Sequence, residues 1–412
     1  MSYRPVIRVL LSGCAVLLTA ANLWAIDYIP SWKPPEFVGF SSYDRQTSDR
    51  FLAHDHHGVP IIGRARHDAQ NKISLVRRVT GVGWIDQSFS SVGGTGPTVA
   101  FDSHELPAMS YGDANGLHYV VYEPSVGGFT NYLVDDTSSS GLDWTVGGTS
   151  LAFDVYGRPG IAAHEGSGLN LHYVSDTNSD GVLDSSDTLE LVDTSDEQRP
   201  SLAFDGLNRP TIVGTDPTGD VDFHAKDFVG WGTTTVSTTA SAVQYNGSLA
   251  IDPDDGLPAV AWIETLSSSL HYSKWNDATL TWDDETVAVD PLTLFANASL
   301  AFDPGDGQPA ISYADNSGNL LFSYFDGAAW NANNLVLNTG FLSNTRTSLS
   351  FNEFGDGYPA IAHVPDDPST PIDYLLYIYD PPATVPEPAA TWLAAIGVVF
   401  ASSRTRRRHF RG

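Results

Sequence analysis

Cysteine is almost missing from this chain: the only one is Cys14, inside an N-terminal apolar run, so everything after it lacks a thiol. Disulfides, thiolate metal centres and cysteine nucleophiles are thereby excluded from the body. Positive charge is scarce as well. Leaving out the first 25 residues (Arg4, Arg8) and everything from Val385 (five arginines and Glu387) reduces 21 basic and 49 acidic residues to 14 and 48, a net charge of −34. A body that acidic repels phosphate backbones and anionic lipid, which removes nucleic acid as a default partner and suits calcium, cationic partners or solubility in a salty medium. Helical periodicity is missing too, and no Gly-x-Ser-x-Gly, His-Glu-x-x-His or phosphate-binding loop is present.

What the chain has is a repeat. A Leu-Ala-Phe-Asp run, a short turn and a Pro-x-Ile segment recur at His54–Asp55 with Pro60, Phe101–Asp102 with Pro107, Phe153–Asp154 with Pro159, Phe204–Asp205 with Pro210, Ile251–Asp252 with Pro258, Asp303 with Pro309, and Phe351–Asn352 with Pro359. The prolines are spaced 47, 52, 51, 48, 51 and 50 residues apart, the signature of a repeat architecture. With 412 residues, 42% of them hydrophobic, the chain can bury a large core, and seven repeats favour one closed domain.

Each unit reads as four short strands. The first is the Leu-Ala-Phe-Asp run. The second follows the proline, which is tolerated at a strand's first position because no interior ladder bond is lost there. The third is of the form Leu117-His118-Tyr119, Leu171-His172-Tyr173 or Leu270-His271-Tyr272, and the fourth often opens on tryptophan: Trp84, Trp144, Trp231, Trp282, Trp330. Four strands in about 50 residues, seven times over, describe an all-β, seven-bladed β-propeller spanning residues 26–382. The last unit has no fourth strand after Asp373–Tyr379, and Phe37–Ser41 near the start belongs to no unit. A blade shared between these two segments closes the ring and removes the exposed sheet edges.

The units resemble a bacterial repeat family of the form Ser-Leu-Ala-Phe-Asp-x-x-Gly-x-Pro-x-Ile-Ser-Tyr, close to sialidase-like and six- to eight-bladed propellers. The resemblance covers most of residues 50–380 and implies a scaffold, not a function. Residues 1–25, with Arg4 and Arg8, the apolar Val9–Leu18 and the small residues before Ala25, have the order of a secretory signal cleaved after Ala25. Leu11-Ser12-Gly13-Cys14 also looks like a lipoprotein box, but only five apolar residues precede Cys14 and apolar sequence continues beyond it. At the other end, Val385-Pro386-Glu387-Pro388 is followed by the uncharged Ala389–Ser403 and then Arg404, Arg406, Arg407, Arg408 and Arg411. Residues 385–412 thus resemble a PEP-CTERM sorting signal, which implies an exosortase-type partner and a short C-terminal membrane helix as transient anchor. Fifteen uncharged residues are few for a permanent span, which needs about 20.

Asp176, Asn178, Asp180, Gly181, Asp184 and Asp187 match positions 1, 3, 5, 6, 9 and 12 of the calcium loops of EF-hand and dockerin proteins, with Val182 supplying the carbonyl at position 7. Oxygens in that order around a sharp glycine turn are what a hard cation of that size requires, so a structural Ca²⁺ is expected there. Asp187 departs from the EF-hand pattern, which has glutamate at that place. The cluster His54-Asp55-His56-His57, with His67 nearby, offers ligands for zinc or copper. Yet His54 and Asp55 occupy the repeat's Phe-Asp positions and His56 and His57 fall in the following turn, so a plain turn is the reading adopted. His118, His172 and His271 recur with the scaffold and read as packing elements. Asp102, Asp154, Asp205, Asp252 and Asp303 read as caps of the first turn. Seven of the fourteen body cations (Arg45, Arg50, Arg64, Arg66, Lys72, Arg77, Arg78) fall in the first unit. They serve either as a docking patch or, the reading preferred, to neutralise acidic neighbours.

No catalytic residue is assigned. The sequence therefore points to an exported, surface- or matrix-associated binding or structural propeller, with an extracellular polysaccharide or a protein as ligand. The acidic loops between second and third strands (Asp113–Gly116, Glu165–Gly168, Asp216–Gly219, Glu264–Ser269, Asp315–Gly318) are its expected ligand face. The alternative is a carbohydrate-active propeller enzyme, which needs two carboxylates facing each other in an axial pocket.

Overall fold

A computed structural model describes residues 32–41, 48–66, 72–79, 81–90, 94–145, 147–195, 198–238, 247–264, 267–289, 298–315, 319–338, 346–352, 358–364 and 373–379. The signal-like residues 1–25, the sorting-signal-like residues 385–412, Arg45 and His67 lie outside them. Among the described residues no helix is long and apolar enough to cross a membrane.

Seven four-stranded antiparallel sheets are arranged as the repeat predicts. Six blades are consecutive meanders. The seventh is built from Arg346–Asn352, Tyr358–Val364 and Asp373–Tyr379, completed by Glu36–Ser41 as its fourth strand. The orphan strand pairs Phe37 with Leu376 and Phe40 with Tyr374, so the ring is closed by the two chain-distant segments.

The register repeats with the sequence. In six blades the last residue of the first strand faces the proline that opens the second: His54 with Pro60, Phe101 with Pro107, Phe153 with Pro159, Phe204 with Pro210, Ile251 with Pro258, Phe302 with Pro309; in the seventh Phe351 faces Pro359 one pair in from the strand ends Asn352 and Tyr358. The aspartate that follows folds the chain between them. Asp102 Oδ1 accepts the N–H groups of His104 (2.8 Å) and Leu106 (2.7 Å), and Asp55, Asp154 and Asp205 accept the same pair in their own turns. Pairing of third and fourth strands slips by one residue at Ile73/Ser74, Leu117/His118, Leu171/His172, Val221/Asp222, Leu270/His271 and Leu320/Leu321. A bulge at one place in each blade adds the twist that a propeller blade needs.

One expectation is corrected. Trp144 opens no fourth strand; that strand of the second blade is Gly128–Asp136, and Trp144 lies beyond it, after the one-turn helix Thr137–Ser140. Its indole is buried, donates Nε1–H to Asp135 (2.7 Å) and meets His172 of the third blade edge-on.

Blades are joined at two radii. At the rim, a fourth-strand tryptophan packs edge-on against a third-strand aromatic of the preceding blade: Trp84 on Tyr377, Trp231 on Tyr173, Trp282 on Phe223. Trp84, Trp231 and Trp330 each also donate their indole N–H to a fourth-strand glutamate of that blade, Glu36, Glu190 or Glu285. At the axis, the first strands would each leave one edge unpaired. There the serine preceding the Leu-Ala-Phe-Asp run accepts the leucine N–H of the next blade: Ser150 from Leu202, Ser201 from Leu249, Ser248 from Leu300, Ser299 from Leu349, and Ser348 from Leu52, at 2.9–3.1 Å.

Ser150→Ala leaves the buried Leu202 N–H without its acceptor, at an expected cost of about 1–3 kcal/mol. Thermal melting should fall by several degrees; a midpoint within about one degree of the unsubstituted protein would show that the serine belt carries no weight.

Candidate functional site

Where the seven first strands converge, their side chains stack in rings. Leu52, Val99, Leu151, Leu300 and Leu349 form one; Ala53, Ala100, Ala152, Ala203, Ala250, Ala301 and Ser350 the next; His54, Phe101, Phe153, Phe204, Ile251, Phe302 and Phe351 a third. They wall a cavity of about 660 Å³ that opens at the turns between first and second strands. The cavity is a funnel.

Its floor comes from outside the repeat. Ser48, Asp49 and Arg50 enter the axis just before the first strand; Ser48 accepts the Thr98 hydroxyl of blade two (3.1 Å), while Asp49 and Arg50 bond across to blades four, five and six. Asp49 is buried; its Oδ2 accepts the hydroxyls of Ser201 (3.1 Å) and Ser248 (2.5 Å), and its carbonyl accepts that of Ser299 (2.9 Å). Arg50 donates Nη1–H to the carbonyl of Leu202 (3.0 Å) and Nη2–H to that of Leu249. Burial pushes the Asp49 carboxyl above its usual range, against the lowering effect of Arg50 and the two serines. Arg50 lines the funnel. It is thus a cation at the base of an apolar well.

The carboxylates at the mouth are occupied. Those of Asp55, Asp102 and Asp154 cap their own turns, and Asp154 also holds Arg158 through Nε–H (2.7 Å). Burial works to raise Asp154, but the bonds from Arg158 and the turn outweigh it and hold the carboxyl below its usual range. Beside them, His56 and His57 project from the first blade's turn, and Glu105 from the second blade's turn reaches His56 Nδ1. Sequence reading missed Glu105; one signal was present, a glutamate where the other turns carry glycine or asparagine.

The other residues singled out by sequence are placed as follows. The loop Asp176–Asp187 connects the third strand of blade three, Asn170–Ser175, to its short fourth strand, Glu190–Asp193. Asp176 Oδ2 accepts Gly181 N–H (2.9 Å), Asn178 Oδ1 that of Asp180 (2.8 Å), Asp180 Oδ1 that of Val182 (3.0 Å), and Asp184 Oδ1 that of Ser186 (2.8 Å). Gly181 takes the left-handed φ of +87°, and Leu183 is buried beneath the loop. Oxygen donors of this kind are of the type calcium takes, but here each is bonded within the loop and no three of its carboxylates lie within 4.8 Å of one another. Asp187 is turned to Thr177, accepting its N–H and hydroxyl at 2.9 Å.

His118 bonds Asp113 (3.1 Å) and Asn131 (3.2 Å) and stacks on Tyr111; His271 bonds Ser269 (2.8 Å) and Asp284 (2.9 Å) and stacks on Trp262. The loops at the opposite end from the funnel also use their acids internally. Glu165, fully buried, accepts from Ser167, Gly168 and Asn170, and Asp216 from Thr218, Gly219 and Asp220. Of the first-unit cations, Arg64 pairs with Asp86 and Arg78 with Glu36.

No protein-family model and no curated protein matches the chain. Solved structures do. A catalytically inactive virginiamycin B lyase from Staphylococcus aureus with quinupristin aligns with a TM-score of 0.54 at 10% identity, covering 84% of this chain and 99% of that one. A protein of unknown function from Dyadobacter fermentans aligns at 0.53 and 11% identity, covering 85% and 100%. A chain of a mitotic checkpoint complex aligns at 0.54 and 11% identity, covering 92% and 96%. At these identities the likeness is one of fold.

Acid should destabilise this axis. His54 touches only neutral partners, Ser350 and Tyr377 (3.0 Å each), and burial holds it far below its ordinary value, at about 3; His363 is likewise held at about 4. Both stay neutral in the folded protein while the unfolded chain protonates near 6.5, so their contribution is complete above that pH and is lost as pH falls through it toward 3–4. Each adds a slope of about 1.4 kcal/mol per pH unit in that window. His54→Phe, which restores the repeat's usual residue, should reduce proton uptake on unfolding at pH 5 by about one proton, measured from denaturant midpoints across pH. An unchanged slope would refute the assignment.

Proposed function

We propose that this chain is an exported, non-catalytic binding propeller that takes the end of an extracellular polysaccharide into the axial funnel. The observation that carries this reading is the division of charge there: the mouth aspartates are tied into turns, Glu105 is paired with His56, and Arg50, beside the buried Asp49, is the charged group that lines the base of the well. Sugar C–H faces suit walls of leucine, alanine and phenylalanine, and a terminal carboxylate suits a guanidinium. A densely charged polyanion is opposed by the net charge of −28, whereas a chain with one acidic end group is not. A glycosidase would instead need two free carboxylates about 5–10 Å apart across the well. Retaining turn-capping acids as acid–base catalysts would cost the turns their caps.

In the same reading, residues 1–25 direct export, and Pro386-Glu387-Pro388 with the apolar and arginine-rich stretch after it is handled by an exosortase-type enzyme, so that the propeller reaches the envelope surface or matrix. Calcium held by Asp176, Asn178, Asp180, the Val182 carbonyl, Asp184 and Asp187 is structural. Adding it to chelator-treated protein should raise the melting temperature, and Asp180→Ala should abolish the rise. A melting curve indifferent to calcium would remove the site.

The binding reading is tested with the purified chain against a panel of neutral and uronate-terminated polysaccharides, with calcium and with chelator. Saturable binding to a uronate-terminated glycan is expected, weakened at least tenfold by Ala203→Trp, which fills the well. Binding that survives Ala203→Trp, or no glycan binding at all, would overturn the funnel as the ligand site and turn the search to protein partners.

A further inference from the structure

We propose that His56, His57 and Glu105 together bind one divalent transition-metal ion, of the zinc type, at the mouth of the axial funnel. Sequence alone gave two adjacent histidines in a turn. The fold adds a carboxylate from the next blade: one ligand atom from each of the three residues lies within 4.8 Å of the others, and among the described residues no other trio of His, Asp or Glu is so grouped. His56 Nδ1 is in direct contact with Glu105 Oε1, and the two imidazoles stand 3.7 Å apart, centroid to centroid.

Backbone, not side-chain chance, sets this arrangement. Asp55 Oδ1 accepts the N–H of His57 (2.9 Å) and of Val59 (2.7 Å), fixing the turn that carries both histidines. In the next blade Glu105 N–H donates to the Asp102 carbonyl (2.9 Å), fixing the turn that carries the carboxylate. Glu105 is held at φ +62°, the left-handed position of its turn. The corresponding place is Gly58, Gly157, Gly256 and Gly307 in four other blades and Asn208 in a fifth. A long side chain in that conformation costs about 1 kcal/mol or more, and such strain collects where a side chain is used.

Two imidazoles and one carboxylate are ligands for zinc, copper or nickel, not for calcium, which wants six or more oxygens. Three protein ligands leave a zinc-type ion a position open to water or to another ligand. His56 and Glu105 both line the funnel, so an ion held there borders the path into the well. The strongly acidic body favours any cation at this place.

The test titrates Co²⁺ into the full-length chain after dialysis against chelator, in excess calcium, and reads the visible bands of four-coordinate cobalt. One equivalent should bind and be displaced by Zn²⁺. His57→Ala should weaken binding at least tenfold. Glu105→Gly, which restores the turn's usual residue, should do the same while its melting temperature stays equal or rises, so that lost binding is not lost folding. No saturable cobalt binding, or binding undiminished in both variants, overturns the site. Binding lost in His57→Ala but kept in Glu105→Gly overturns the two-blade site by removing Glu105 from it.

Discussion

The structure depends on what happens to seven inner strand edges. A propeller closes its ring but leaves the first strand of every blade with unpaired backbone groups facing the axis, and an unpaired buried N–H costs as much as a lost hydrogen bond. This chain answers with a hydroxyl at one place in the repeat. Because Ser150, Ser201, Ser248, Ser299 and Ser348 accept from the following blade, five of the seven inner edges are each satisfied by a neighbour, and at a sixth Val99 N–H turns to the Arg50 carbonyl. The repeat that looks like a packing pattern is at its first position a hydrogen-bonding pattern.

Once the edges are satisfied by short side chains, the axis stays open, and what enters it is decided by the non-repeated segment before the first strand. Asp49 and Arg50 fall where the first unit departs from the repeat, and they bond to the serines and carbonyls of the three blades opposite. The desolvation of that pair is offset in part by the bonds converging on it from several blades, and burial still raises the Asp49 carboxyl and lowers Arg50. Closure at one end of the well therefore follows from the same serines that join the blades.

The period of the prolines, the missing fourth strand of the last unit and the orphan Phe37–Ser41 strand were enough to read seven blades and the way they close, because each signal is local and repeated. The turn-capping aspartates were legible for the same reason. The funnel floor was not, since Asp49 and Arg50 act on residues about 150 to 250 positions away and no periodicity points to them. Trp144 misled because a tryptophan after a glycine-rich turn looks like the start of a fourth strand, whereas here it fills the seam between blades two and three. Attention to acidic loops at the far end was drawn by composition; there Asp113, Glu165, Asp216 and Asp315 accept backbone N–H groups of their own loops, and Glu264 accepts the Ser267 hydroxyl.

A repeat protein marks its special positions by exception. Where seven units share one backbone, a residue that costs energy in that backbone stands out against six cheaper solutions to the same problem. His54 replaces a phenylalanine in the third ring, Phe51 replaces the belt's hydroxyl and leaves Val99 N–H to the Arg50 carbonyl instead, and Glu105 replaces a glycine at a left-handed turn. All three lie in blades one and two. These three departures from the repeat fall on one side of the axis, and two of them, His54 and Glu105, line the same well. A packing requirement would be shared by all seven blades; a ligand approaching off the axis is met by one or two.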